Sequence, residues 1–159
     1  MWLAFVLAPI ALLAALPAFA EGKPDARDSA AIQNCIKTKT GRHWNWENCL
    51  GVVSDRCSKN EASMAASEVM ACINREQLVW DDILNETYRR LREKLDDQQQ
   101  VKLRDMQRAW IASRDKSCNF LLDYFEGSMA NPMIADCVSR ETGRRALYLL
   151  GFLNDAEGK

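Results

Sequence analysis

Proline is missing from the whole stretch between Pro24 and Pro132. Because proline fixes φ and removes a backbone donor, its absence leaves long segments free to be helical and argues against an all-β fold. Histidine is nearly absent too, with His43 in Gly41-Arg42-His43-Trp44-Asn45-Trp46 the single example. A general base needs a nucleophile within reach, and no serine stands in a recognisable nucleophile motif. We therefore read His43 as a surface turn residue and assign no catalytic residue. C-x-x-C spacing is lacking as well, the closest cysteines being Cys49 and Cys57, so the pattern calls for no metal and no cofactor. Charge of one sign is not in excess either: the formal net charge is −1, which gives no electrostatic pull toward nucleic acid or an acidic membrane surface.

Charge is absent altogether from Trp2 to Ala20, a run that closes on Ala18-Phe19-Ala20 and gives way to Glu21-Gly22-Lys23-Pro24. An apolar stretch with a small-x-small end reads as a signal peptide over 1–20, cut after Ala20. No Lys or Arg precedes it, and its length is about that of a bilayer span, so a retained anchor is the alternative. Either reading puts residues 21–159, one domain, outside the cytoplasm, in the periplasm or secreted. With cleavage, no stable membrane anchor is expected. Cys35, Cys49, Cys57, Cys72, Cys118 and Cys137 all fall in that domain, and an even number in an exported chain implies three disulfides. Cys118 and Cys137 flank a loop around Gly127 and are expected to pair. The other four are expected to join neighbours across one turn, Cys35 with Cys49 and Cys57 with Cys72.

The expected fold is an all-α, disulfide-stabilised helical-hairpin bundle. A first helix runs from about Asp28 to Lys39 and a second from Trp44 to about Cys57. A long one follows from about Ser63 to Leu95, because Trp80, Leu84, Tyr88, Leu91 and Leu95 recur at helical steps. Asp97 with Gln100 resembles a capping box for a fourth helix to about Tyr124, with Leu103, Met106, Trp110, Leu121 and Tyr124 on its apolar side. After a loop at Phe125–Ala130, Asn131-Pro132 predicts a last helix to about Leu153.

A short turn at Asp96-Asp97 folds the third helix against the fourth, so residues whose numbers sum to about 195 share a height. Asp81 then meets Arg114, Asn85 meets Trp110 and Tyr88 meets Gln107. Polar groups in an apolar seam need partners, and we read these six as satisfying one another and fixing the register rather than as a site. Two other places are candidates for contact with a partner. Trp44 and Trp46 form either an exposed aromatic patch or the small core of the N-terminal hairpin. Gly127-Ser128 either presents backbone amides from a loop beside a disulfide or makes a plain tight turn.

The order Cys72, Trp80-Asp81, Leu84-Asn85, Tyr88, Leu91, Leu95, then Leu103, Gln107, Trp110, Arg114-Asp115, Cys118, then Gly127-Ser128 and Cys137 resembles the LprI-like domain. This family of small exported bacterial helical proteins is named for a lysozyme inhibitor, and lysozyme inhibition is what the resemblance implies. It covers about Cys72 to Leu153. A lipoprotein of that family needs a cysteine at its cleavage site, whereas Ala20-Glu21 stands here, and the region of Cys35, Cys49 and Cys57 lies outside the shared pattern.

The function expected is therefore that of an exported, non-catalytic envelope protein that binds a protein partner, with a lysozyme as the candidate. A structural or stress-protective envelope module is one alternative; a small glycan-cleaving enzyme using a carboxylate pair is another. Lysozymes are often strongly basic, and a net charge of −1 offers an inhibitor little steering. An exposed acidic or loop-borne protrusion would favour the inhibitor, a flat polar surface the structural module, and a deep cleft with two carboxylates the enzyme.

Overall fold

The computed structural model describes residues 23–39, 46–59, 63–125 and 127–158. Helix α1 spans Ala26–Lys39, begun by Asp25, whose Oδ1 accepts from the Arg27 N–H at 2.7 Å as N-terminal side chains do. The single helix expected over 44–57 is instead two short pieces, a 3-10 turn at Trp46–Cys49 and helix α2 at Ser54–Cys57. Gly51 divides them. Its φ is +94°, and a Cβ there would sit 2.2 Å from Asp55 Oδ2, so the chain turns at the one residue type that tolerates both.

Helices α3, α4 and α5 cover Ala66–Glu93, Asp97–Tyr124 and Ala130–Glu157, 28 residues each. Helix α3 opens where Glu68 Oε2 accepts from the Ala65 N–H at 2.7 Å. The capping box of α4 lies one residue earlier than expected: Asp96 Oδ1 accepts from the Gln99 N–H at 2.8 Å, and Gln99 Oε1 accepts from the Asp96 N–H at 3.1 Å. At the far end a 3-10 turn, Gly127–Met129, feeds straight into α5. Asn131 therefore lies inside the first turn rather than capping it, with Pro132 where no donor is required. Helix α5 also outruns Leu153 and stops at Gly158, whose φ is +70°.

The main helix pair is not the one expected. Helix α5 lies closest to α3, with α4 next to α5, and the backbones of α3 and α4 scarcely approach each other. Small residues decide this. A Cβ added at Gly143 would come within 2.4 Å of Leu50 Cδ2 and 3.0 Å of the Trp80 ring, and Ala146 is fully buried beside it. Helix α5 can thus bring its backbone onto Trp80, which the longer side chains of α4 could not allow. Around Trp80 the core gathers Ile32, Leu50, Val53, Val79, Leu84 and Leu149, and α4 adds Leu103, with Met106 and Trp110 packed at the edge.

The N-terminal elements are tied onto α3. Arg75 donates from Nε and Nη2 to the two carboxylate oxygens of buried Asp28 at 2.9 and 2.8 Å, a bidentate pair that raises the Arg75 pKa. That rise comes first from the hydrogen bond to Asp28 and then from its charge. Disulfides join Cys35 to Cys49, Cys57 to Cys72 and Cys118 to Cys137, with Cα atoms 5.7, 5.5 and 5.6 Å apart. Closing the 19-residue separation of the last pair contributes on the order of 3 kcal/mol if unfolded-chain entropy dominates. No described helix is long and apolar enough to cross a membrane; the uncharged run at 1–20 lies outside the described residues.

Candidate functional site

The seam residues are in place, but α5 stands between them. Thr142 is the intermediary at one level: its Oγ1 donates to the Val138 carbonyl at 2.7 Å and accepts from Arg114 Nη1 at 3.2 Å and Gln77 Nε2 at 3.4 Å. One proton and two lone pairs are all engaged. Gln77 Nε2 also donates to Asp81 Oδ2 at 2.9 Å, and Arg114 pairs with its neighbour Asp115 at 2.8 Å. The expected pairing of Asp81 with Arg114 is thus replaced by a relay through Gln77 and Thr142.

One turn along, Arg145 of α5 plays the corresponding part. Its Nε donates to Gln107 Oε1 at 2.8 Å, so Gln107 faces α5 and not Tyr88. Two guanidinium groups lie over the Trp110 ring, that of Arg114 at 5.0 Å and that of Arg145 at 5.5 Å from its centroid, a cation–π arrangement in place of the expected contact with Asn85. Asn85 is exposed, and the half-buried Tyr88 ring has Arg92 at 6.0 Å. Burial pushes the Arg145 pKa down, with Tyr148 opposing. The seam is a polar network that links three helices, and a two-helix reading missed its third member.

The reading also missed Glu76. It is buried, and its Oε1 accepts from the Gly51 N–H at 2.6 Å and the Trp80 indole N–H at 2.9 Å. Its Oε2 accepts from the Val53 and Ser54 N–H groups at 2.9 and 2.8 Å and from the Ser54 hydroxyl at 3.0 Å. Five donors converge on an acceptor-only group, and three of them are backbone N–H groups, those of Gly51 in the turn and of Val53 and Ser54 where α2 begins. A signal was available: Glu76 sits one turn before Trp80 on the buried stripe of α3, where a carboxylate must have buried partners.

The outward-facing chemistry lies elsewhere, at the end of the α4–α5 hairpin. Three side chains within five residues are the most exposed large hydrophobics among the described residues: Phe120 at 60 %, Leu122 at 57 % and Tyr124 at 68 %. Tyr124 was expected on the apolar, inward side of α4. Cys118 is buried against α5 by its disulfide, and at about 100° per residue Phe120 and Tyr124 fall on the opposite side of the helix. Their rings lie 5.9 Å apart, and Phe125 meets Tyr124 edge-on at 5.1 Å. Gly127, at φ +80°, and Ser128 are exposed in the 3-10 turn that follows. His43 and Trp44 lie outside the described residues, as does the side chain of Trp46.

A groove of about 420 Å³ runs along the outer face of α5 beside Tyr148 and Phe152. It holds two carboxylates, Glu47 and Asp155, both exposed, with Glu47 3.7 Å from Arg144. A glycosidase separates the roles of its carboxyl groups by burying one in apolar surroundings, and neither residue here is so placed.

Neither curated proteins nor solved structures provide a match to this chain. The family described as lysozyme inhibitor LprI does match, over residues 57–149. That span holds α3, α4, the hairpin end and most of α5, and it reaches back to Cys57, further than the motif starting at Cys72. With more than half its length matched, the chain belongs to the lysozyme inhibitor LprI family.

Proposed function

We propose that the protein is exported and acts in the cell envelope by binding a protein partner, a lysozyme, without catalysis. The family match over 57–149 carries this reading. Three disulfides among the described residues support an oxidising compartment, in keeping with a signal peptide ahead of Glu21. Two features of the molecule support binding over chemistry. The polar residues that converge in the seam hydrogen-bond with one another, leaving Gln77 Oε1 and Arg145 Nη2 as the buried side-chain atoms without a partner among the described residues, and exposed apolar side chains are gathered at the end of the α4–α5 hairpin.

The test is a lysis assay with the exported, disulfide-bonded protein. At micromolar concentration it slows the lysis of cell-wall suspensions by a c-type lysozyme and binds that lysozyme saturably in calorimetry. Unchanged lysis with no heat of binding at tens of micromolar removes the reading. Muropeptides released by the protein alone would put a glycan-cleaving enzyme in its place.

A further inference from the structure

We propose that the disulfide-stapled end of the α4–α5 hairpin is the docking surface, and that it takes the basic face of a lysozyme; this rests on the reading above. The first observation is where apolar surface is left in water. Phe120, Leu122 and Tyr124 are the most exposed large hydrophobics among the described residues, and Met129, just across the turn, is 53 % exposed. A soluble protein does not leave aromatic rings contiguous and uncovered without use for them, and aromatic anchors are the residues that dominate protein interfaces.

Charge gives the second observation. From Ser117 to Ser139 there is no Lys or Arg, while Asp123, Glu126 and Asp136 are all acidic. Asp136 is tied to Arg140 on its own helix at 2.9 Å, but Asp123 is exposed in the midst of the apolar side chains. The chain's net charge of −1 is therefore unevenly spread: the stretch 117–139 carries −3 by sequence, and its nearest bases are Lys116, one turn before Phe120, and Arg140, which is engaged by Asp136, so Asp123 is the exposed charge beside the rings. An acidic, aromatic surface complements a basic protein and is attracted to it over a Debye length. A second copy of the chain would set Asp123 against like charge, and anionic lipid headgroups would repel it. Both are poorer occupants.

Rigidity is the third. The Cys118–Cys137 bond anchors both helices at the base of the end, and the three rings hold one another at 5.9 and 5.1 Å. Side chains already held by such contacts lose less freedom when a partner arrives, which is how a small surface gains affinity.

The experiment measures binding of a c-type lysozyme to the wild type, to the double variant Phe120→Ser/Tyr124→Ser, to Asp123→Lys and to Val101→Ser, an exposed apolar site near the other end of α4. Circular dichroism and thermal unfolding establish that each variant is folded. The double variant weakens binding by at least about tenfold, as loss of interface anchors does. Asp123→Lys slows association and flattens its dependence on salt, and Val101→Ser binds as the wild type does. If the wild type binds lysozyme and the double variant binds equally well, the docking surface is not here, although the inhibitor reading stands. If the wild type does not bind, both fall. If the double variant only dissolves a dimer and leaves lysozyme binding intact, the end is a homotypic interface and the proposal is wrong.

Discussion

Helices α3 and α4 have the same length and flank the same three-residue turn, yet α3 buries nine residues and α4 only Leu103 and Cys118. The cause is pattern rather than composition. From Val69 to Leu91 the buried positions of α3 advance by steps of one, three or four, which draws one stripe along the helix. In α4 the large apolar residues go round: Phe120, Leu121 and Leu122 are consecutive and sweep about 200° of the helix surface, so α5, packed on one side, leaves part of them bare. One helix is the spine on which α5 and the N-terminal elements pack; the other is fully buried only at Leu103 and Cys118, touches the core edge and α5 through half-buried Met106, Gln107, Trp110 and Arg114, and turns most of its remaining surface to solvent. Stability and binding should accordingly be separable by helix.

The largest test of that separation is Glu76→Gln. The amide replaces one oxygen with an NH₂ that faces donors, so part of the five-donor cluster around Gly51, Val53, Ser54 and Trp80 is left buried and unpaired. Loss of a buried, charge-assisted network of this kind costs about 3 kcal/mol or more. Leu122→Ser on α4, where the side chain is already in water, should stay within about 0.5 kcal/mol. Urea unfolding with the disulfides intact measures both. Comparable losses would mean that α4 is as much a part of the spine as α3.

The difference between the helices also explains what could be read from the chain. Helix content, the two long helices of the hairpin and the three cysteine pairings were legible because periodicity, caps and sequence-adjacent cysteines are local signals. The seam was half legible. Asp81, Gln107, Trp110 and Arg114 do meet polar partners, but those partners include Thr142 and Arg145, and a two-helix register has no place for residues from a helix 30 positions further on. Glu76 was lost for a similar reason. Its stripe position was visible, but its donors come from a turn whose shape depends on Gly51, and a helix drawn straight through 44–57 has no free N–H groups at that point. The exposed end was illegible as such: Tyr124 reads as part of the apolar side of α4 together with Leu121, and only the Cys118 disulfide to α5 shows that the helix turns its other side, with Phe120 and Tyr124, to solvent.

The second test asks whether α5 mediates the seam. A double-mutant cycle between Gln107→Ala and Arg145→Met should return a coupling above about 0.5 kcal/mol, because the two groups share a hydrogen bond at 2.8 Å and removing either strands the other. The cycle between Tyr88→Phe and Gln107→Ala should be additive within about 0.3 kcal/mol. The reverse outcome would restore a direct contact of α3 with α4 and demote α5 to a covering helix. Arg145→Met also removes one of the two cations over Trp110, so quenching of the Trp110 fluorescence provides an independent reading of the same contact.

The smallest test turns α3 against itself, since its outer face should be as tolerant as that of α4. Arg89 bridges Glu86 and Glu93 there, and all three side chains are exposed. The Arg89 hydrogen bond, partly opposed by desolvation and aided by the charges of Arg89 and Arg90, holds the Glu86 carboxyl below its usual range. A carboxyl depressed in the folded state adds stability above its unfolded pKa and loses it as pH falls through the folded value. Arg89→Ala should therefore lower stability slightly at neutral pH and not at all in acid below that value. Because the pair is fully in solvent, molar salt should erase even the neutral-pH difference. A loss that persists in acid and in high salt would show that Arg89 packs against the bundle, and the division would then run between whole helices rather than between the inner and outer faces of one.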